Sequence, residues 1–323
     1  MGHATQPSAD GKWIAGLSAA TPVTEAAREV LAVRLDAVTE AGGRAVEAVT
    51  DPEAVHQLRV ATRRARAALA VFADALPRKA VRRGRKTLRK LRRAAAAVRN
   101  LDVLLAAVGD VPARGSGRAS AATFFLAGYL VARQAAERRQ LLRSLNRILN
   151  GKALRRLMRL SRRVHARANC RLGGWAARAL DDVVNRFADA LEGKVDEERL
   201  HQVRLVGKEL RYSLEVFIDC YEPDVRDEIY TALESLQEFL GRANDIRQAL
   251  RLIEGVTEEL TVSRPELDRH IGRHLRALTA ALNARLAEQR KKLTGWRRQW
   301  AKLQAVERLA HPSPAAASDE GVE

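Results

Sequence analysis

A chain of 323 residues, 46% of them hydrophobic, is long enough for one large domain or two compact ones with ordinary cores, which excludes a peptide-like binder. Its 57 Lys and Arg against 39 Asp and Glu give a formal charge of +18. An excess of that size repels itself in the folded state and points to a polyanionic partner: nucleic acid, an anionic membrane surface or a phosphate polymer.

Aromatic residues make up only 4%, and long periodic stretches rich in Ala, Leu and Arg are broken by a few Gly and Pro, so the expected class is all-α. Residues 1–20 read as a flexible N-terminal segment that Trp13 and Ile14 could anchor. They lack the basic start and sustained apolar run of a signal peptide. No apolar stretch reaches the roughly 18 residues of a spanning helix. A cytoplasmic protein without membrane contact is expected. Thr21 reads as an N-cap with Pro22 at the first helical position, opening a helix to about Val46. Asp51 and Pro52 repeat this start for a helix reaching about Leu76, and Pro77 then separates off a very basic helix over 78–108. The sequence GDVPARGSGR, residues 109–118, predicts a loop, followed by helices over 119–149 and 152–168 with Asn150-Gly151 between them. Gly173-Gly174 marks a boundary between two halves, 21–172 and 173–307. The second half predicts helices over 175–191, 197–221, 224–240, 242–260 and 265–305, and residues 308–323 form a small, acidic tail expected to be disordered. Cys170 and Cys220 have neither metal-like nor disulfide-like spacing and read as small buried residues.

The chain repeats itself. VHQLRVATRRARAALAVF, residues 55–72, has a close counterpart in LHQVRLVGKELRYSLEVF, residues 200–217, with His56 and His201 separated by 145 positions. VRNLDV (98–103) similarly resembles GRANDI (241–246), aligning Arg99 with Arg242 and Asp102 with Asp245. A tandem pair of four-helix bundles related by an internal pseudo-twofold repeat is the simplest architecture with this property.

On a helical wheel His56, Arg59, Arg63 and Arg66 fall in one arc about 80° wide. Leu58, Ala65, Leu69 and Phe72 form an apolar stripe beside it. The second copy places His201, Arg204, Lys208 and Arg211 on one arc and Val203, Leu210, Leu214 and Phe217 on the other. Like charges at these spacings repel. The first copy has no acid between Glu53 and Asp74 to relieve this, and Asp102 and Asp245 could each accept from one Arg without neutralising the set. Either carboxylates from a neighbouring helix or a bound anion must offset the repulsion. Arg grips phosphate oxygens two at a time and Lys acts as a point charge. A second stripe, Arg82, Lys86, Arg89 and Arg93, follows Pro77, whereas its counterpart EPDVRDEIYTALESLQEF is acidic, so the stronger anion site should be built mainly from the first half. His56 and His201 read either as packing residues or as phosphate contacts. His270 and His274 have zinc-compatible spacing without a Glu general base, and no metal site or cofactor is expected.

The pattern H-x2-R-x3-R-R-x-R followed by apolar residues and Phe, the later RNLDV, and their second appearance resemble the CHAD family, the conserved histidine α-helical domain, over about residues 20–305. That resemblance implies two four-helix bundles with basic surfaces flanking a central groove that binds inorganic polyphosphate, and association with polyphosphate granules. Carried over by position it implies His56, Arg59, Arg63 and Arg66, then His201, Arg204, Lys208 and Arg211. Lys208 and Glu209 depart from the Arg-Arg pair of the first copy. The E-x-E-x-K signature of the triphosphate-tunnel enzymes fused to many members is missing, as are a phosphate loop and a paired-carboxylate constellation, so a non-enzymatic binder is expected. The competing expectation is a nonspecific nucleic-acid binder, against which stands the lack of aromatic stacking residues and of a recognition helix.

Overall fold

A computed structural model describes residues 11–109, 116–165, 170–193 and 196–313. Among these the regular elements are all helices and there is no strand. The order is α1 (Val23–Glu47), α2 (Pro52–Val71), α3 (Arg78–Gly109), α4 (Ser116–Leu149), α5 (Lys152–Met158), α6 (Leu172–Leu191), α7 (Glu197–Phe217), a π-helical turn (Val225–Tyr230), α8 (Thr231–Ser263), α9 (Pro265–Lys302) and α10 (Ala305–Ala310).

Local signals explain most of the boundaries. Asp51 caps α2 by accepting from the Glu53 amide at 2.9 Å, with Pro52 following it. Asp196 caps α7 by accepting from the Arg199 amide at 2.7 Å; each satisfies a donor that the first helical turn leaves without a partner. Several expected boundaries move. Pro22 itself is the N-cap of α1, held extended by a bridge to Arg171. The helix expected to end near Leu76 gives way after Val71 to a single 3-10 turn, and that expected over 152–168 ends at Met158. Gly173 and Gly174 lie inside the first turn of α6, where Gly173 packs against Ala19. Gly241 does not break the chain: α8 runs on through it to Ser263, because burial of Leu240 and Ala243 outweighs the weak helix propensity of one glycine. The loop expected over 109–118 falls largely outside the described residues.

Both ends of the described chain are docked. Ile14 and Leu17 are buried, and the Arg34 guanidinium donates to the carbonyls of Gly11 and Lys12 at 2.5 and 2.7 Å. Beyond α9, Leu309 is buried and the Ser313 amide donates to the Cys220 carbonyl at 2.8 Å, so the expected disordered tail does not begin at 308.

Two cores result. The larger joins α1, α2, α5, α6, α7 and α10 with parts of the long helices. The smaller is made by Leu101 and Leu104 of α3, Leu126 and Leu130 of α4, and the distal parts of α8 and α9. Each core draws on both halves of the sequence. The apolar stripes predicted for α2 and α7 are fully realised: Leu58, Ala65, Leu69 and Phe72, and Val203, Leu210, Leu214 and Phe217, are all essentially inaccessible.

The crossing of α2 and α7 carries an ionic lock that composition does not reveal. Glu215, with no exposed side-chain surface, accepts from Arg64 Nε at 2.7 Å and from the Tyr230 hydroxyl at 2.8 Å. Removing one partner of a buried pair leaves a charge without compensation, which costs about 3–5 kcal/mol. Glu215→Leu is therefore expected to lower the urea unfolding midpoint sharply, and Arg64→Leu in the same chain to recover much of the loss; equal midpoints for wild type and Glu215→Leu would contradict the role given to this pair.

Candidate polyanion site

With the core stripes facing inward, the basic arcs of α2 and α7 meet along the crossing of the two helices, and α3 and α8 flank them. Arg63 is the hub. Burial first, and then its charge among others, lowers the pKa values of His56, Arg59 and Arg66 on its own helix, of Arg92 on α3, and of Arg204 and Lys208 on α7. Such mutual depression requires cations that share a low-dielectric neighbourhood. A cleft of about 580 Å³ opens beside the hub, lined by His56, Arg63, Lys208, Arg211, Glu234 and Glu238 among others.

Compensation inside the cluster is sparse. Among the described residues, Arg59, Arg63, Arg66, Arg92, Arg99, Arg204 and Lys208 form no ion pair. Arg59 Nη1 donates to neutral acceptors, the Ala96 carbonyl and Asn100 Oδ1, both at 3.3 Å. Asp245 of α8 is the carboxylate whose field reaches Arg59, Arg204 and Lys208, and it pairs directly with none of them. Burial, then Arg63 and Arg99, takes the Arg59 guanidinium down to about 10. Burial, then Arg63, Arg204 and Arg59, takes the Lys208 ammonium from 10.5 to about 6. Burial and Arg99 also hold His56 below its ordinary value, so its imidazole is neutral at pH 7.

The profile of the CHAD domain matches residues 29–254. The protein belongs to the CHAD domain family. No curated protein matches the chain. The crystal structure of the CHAD domain from the plant Ricinus communis resembles it with a TM-score of 0.71 at 21% identity, over 97% of this chain and 99% of that one. PptA from Streptomyces chartreusis does so with a TM-score of 0.65 at 18% identity, over 87% of this chain and 100% of that one. At these identities the likeness is one of fold.

Within this CHAD domain the residues expected from the repeat part ways. His56, Arg59, Arg63, Arg66, Arg204 and Lys208 come together. His201 is exposed and does not line the cleft. Arg211 lines it but is held by carboxylates, Glu234 at 3.2 Å and Glu215 at 3.9 Å. Asp102 turns the other way, accepting from Gln134 at 2.5 Å and Arg138 at 3.5 Å on α4. Glu209, where the first copy has Arg64, pairs with Arg186 of α6 at 3.0 Å.

On α3 the stripe Arg82, Lys86, Arg89 and Arg93 lies about 170° from the buried row of Leu88, Leu91, Ala95 and Val98, and all four are exposed. The side chains nearest the cluster are instead Arg85, Arg92 and Arg99 on one flank of that ridge. Arg85, Arg89 and Arg92 act on Arg66, and Arg99 acts on His56 and Arg59. The 3.6-residue period offers both rows, which share Arg89 as a neighbour; only the angle of the apolar row relative to α2 selects between them. Among the described residues no group of three or more His, Cys, Asp or Glu is placed to hold a metal ion, and no helix is long and apolar enough to cross a membrane.

The Lys208 ammonium makes a testable statement about stability. The unfolded chain takes up its proton near 10.5, whereas the folded chain does so only near 6. Across that window the unfolded state holds more protons, so stability falls as pH drops from 10.5 towards 6. Lys208→Met is expected to unfold at higher urea than wild type at pH 7, with the two midpoints converging as pH approaches 10. A constant gap, or a less stable variant at pH 7, would refute the frustrated charge.

Proposed function

We infer that the protein binds inorganic polyphosphate without transforming it, through the face made by His56, Arg59, Arg63, Arg66, Arg92, Arg204 and Lys208 and the groove beside it. The observation that carries this reading is the set of cations around Arg63, partly buried apart from the exposed Arg66, that form no ion pair among the described residues. Folding leaves their repulsion uncompensated, and a ligand with closely spaced negative groups relieves it. Guanidinium forks suit phosphate oxygens, and the half-buried setting strengthens each contact relative to bulk water. A repeating phosphate chain engages several cations at once, so affinity rises with polymer length. Membership of the CHAD family and the doubled motif agree with this ligand. The internal repeat agrees with two four-helix bundles meeting at the groove, and polymer binding of this kind serves to place the protein on polyphosphate granules in the cytoplasm.

The test is a titration with long-chain polyphosphate at about 150 mM salt, where exposed charge is largely screened, competed by duplex DNA and by RNA. Binding that excess nucleic acid does not displace is expected. Equal displacement would reassign the face to nucleic-acid backbones. Arg59→Glu with Arg63→Glu is expected to weaken binding by at least about tenfold while the far-ultraviolet dichroism stays native; full affinity in the folded double variant would reject the site. Because docking phosphate restores the Lys208 charge, binding at pH 7.5 is expected to take up close to one proton, measured from the buffer dependence of the binding enthalpy, and Lys208→Met is expected to abolish that uptake.

A further inference from the structure

α3 has a second basic flank. Arg83, Lys86 and Lys90 lie on the side of the exposed ridge away from Arg92, about 160° round the helix from Arg85, Arg92 and Arg99. They form one wall of a separate cavity of about 590 Å³ enclosed by α3, the end of α4 and α5. Arg147, Arg156 and Arg163 contribute to the opposite wall. No carboxylate lines this cavity, and none of these six side chains forms an ion pair among the described residues.

Its floor is apolar. Ile148 is half-buried and Ala153 exposed, Leu157 and Leu160 back them from the core, and Gly84 lets α3 sit so close that a β-carbon there would approach Leu69 and Leu160 to about 3.0 Å. A ring of cations over an apolar floor, in a concavity of the size that small-molecule sites have, differs in kind from the cleft at the α2–α7 crossing. That cleft carries Glu234 and Glu238 and is built along a crossing of helices. An inorganic phosphate chain gains nothing from an apolar floor. A ligand with compact phosphates and a planar, weakly polar body uses both surfaces, with guanidinium planes available to stack on the body.

We propose that the cavity between α3, α4 and α5 is a second anion site, distinct from the α2–α7 face, that takes a nucleoside polyphosphate. The phosphates sit among Arg83, Lys90, Arg156 and Arg163, and the base lies against Ile148 and Ala153. The site does not depend on the identity of the polymer bound at the crossing.

The experiment uses the full chain carrying Arg59→Glu and Arg63→Glu, which disables the first face, titrated with ATP and separately with tripolyphosphate at about 150 mM salt. Saturable ATP binding is expected to persist in this background and to fall at least about tenfold when Arg83→Glu and Arg156→Glu are added. Both of these positions are exposed, and Lys86→Gln with Lys90→Gln offers a milder pair with the same expected direction. ATP is expected to bind several-fold more tightly than tripolyphosphate. Loss of ATP binding in the Arg59→Glu, Arg63→Glu background, or its retention after the cavity is altered, would overturn the second site; tripolyphosphate binding as tightly as ATP would overturn the assignment to a nucleoside polyphosphate.

Discussion

The geometry of the site depends on one buried carboxylate. Glu215 of α7 has no exposed side-chain surface, and a buried charge needs partners, which Arg64 of α2 and Tyr230 supply. The pair fixes more than distance. Arg64 and Arg63 are neighbours, so their side chains leave α2 about 100° apart. Aiming Arg64 into the interface with α7 sends Arg63 to the cleft side, and His56, Arg59 and Arg66 follow on the same arc. A buried ion pair contributes little net stability compared with apolar groups of the same volume, but here it sets the rotation of α2 on which every cation of the first arc relies.

That rotation creates electrostatic stress instead of relieving it. Burial, and after it the charge of Arg63, depresses the charged states of cations on three helices, and Asp245 acts on Arg59, Arg204 and Lys208 without pairing with them. Elsewhere the same chain pairs its charges readily: Arg308 binds Asp224 and Glu228, Arg186 binds Asp182 and Glu209, and Arg290 binds Glu197. What sets Arg59, Arg204 and Lys208 at the crossing apart is that they are partly buried and yet form no ion pair among the described residues. A folded state that displaces a lysine to about 6 keeps it largely uncharged at pH 7 and loses stability relative to an unfolded chain in which it is protonated.

The helical class, the caps at Asp51 and the apolar faces of α2 and α7 were legible from periodicity because each depends on residues within a few turns of one another. Two kinds of feature were not. The continuity of α8 through Gly241 depends on burial against other helices, which outweighs the local propensity that suggested a break there. The choice of basic row on α3 depends on how that helix is rotated about its axis. Leu88, Leu91, Ala95 and Val98 contain that information, since a basic row opposite the apolar row must face solvent and only a flanking row can meet a neighbour. Arg92 and Arg99 were recoverable by that argument, whereas the Arg64–Glu215 pair, 151 positions apart, carries no local signal at all.

The repeat shows how one motif acquires two roles from its surroundings. Arg66 and Arg211 occupy the same place in the two copies. Beside Arg66 stands α3, with Arg85, Arg89 and Arg92, and among the described residues it forms no ion pair. Beside Arg211 stands α8, whose Glu234 accepts from it, with Tyr212 and Tyr230 against its guanidinium and Glu215 behind. Lys12 from the docked N-terminal segment adds a second cation to Glu234 at 2.8 Å, so that end of the cleft is internally balanced. The first copy retains a charge with no ion-pair partner among the described residues, while the second has used the equivalent charge, through Glu234, to hold α7, α8 and the N-terminal segment together. Symmetry in the sequence therefore does not carry over to symmetry in the site, because the neighbouring helix differs: α3 brings further cations to Arg66, whereas α8 brings Glu234 to Arg211.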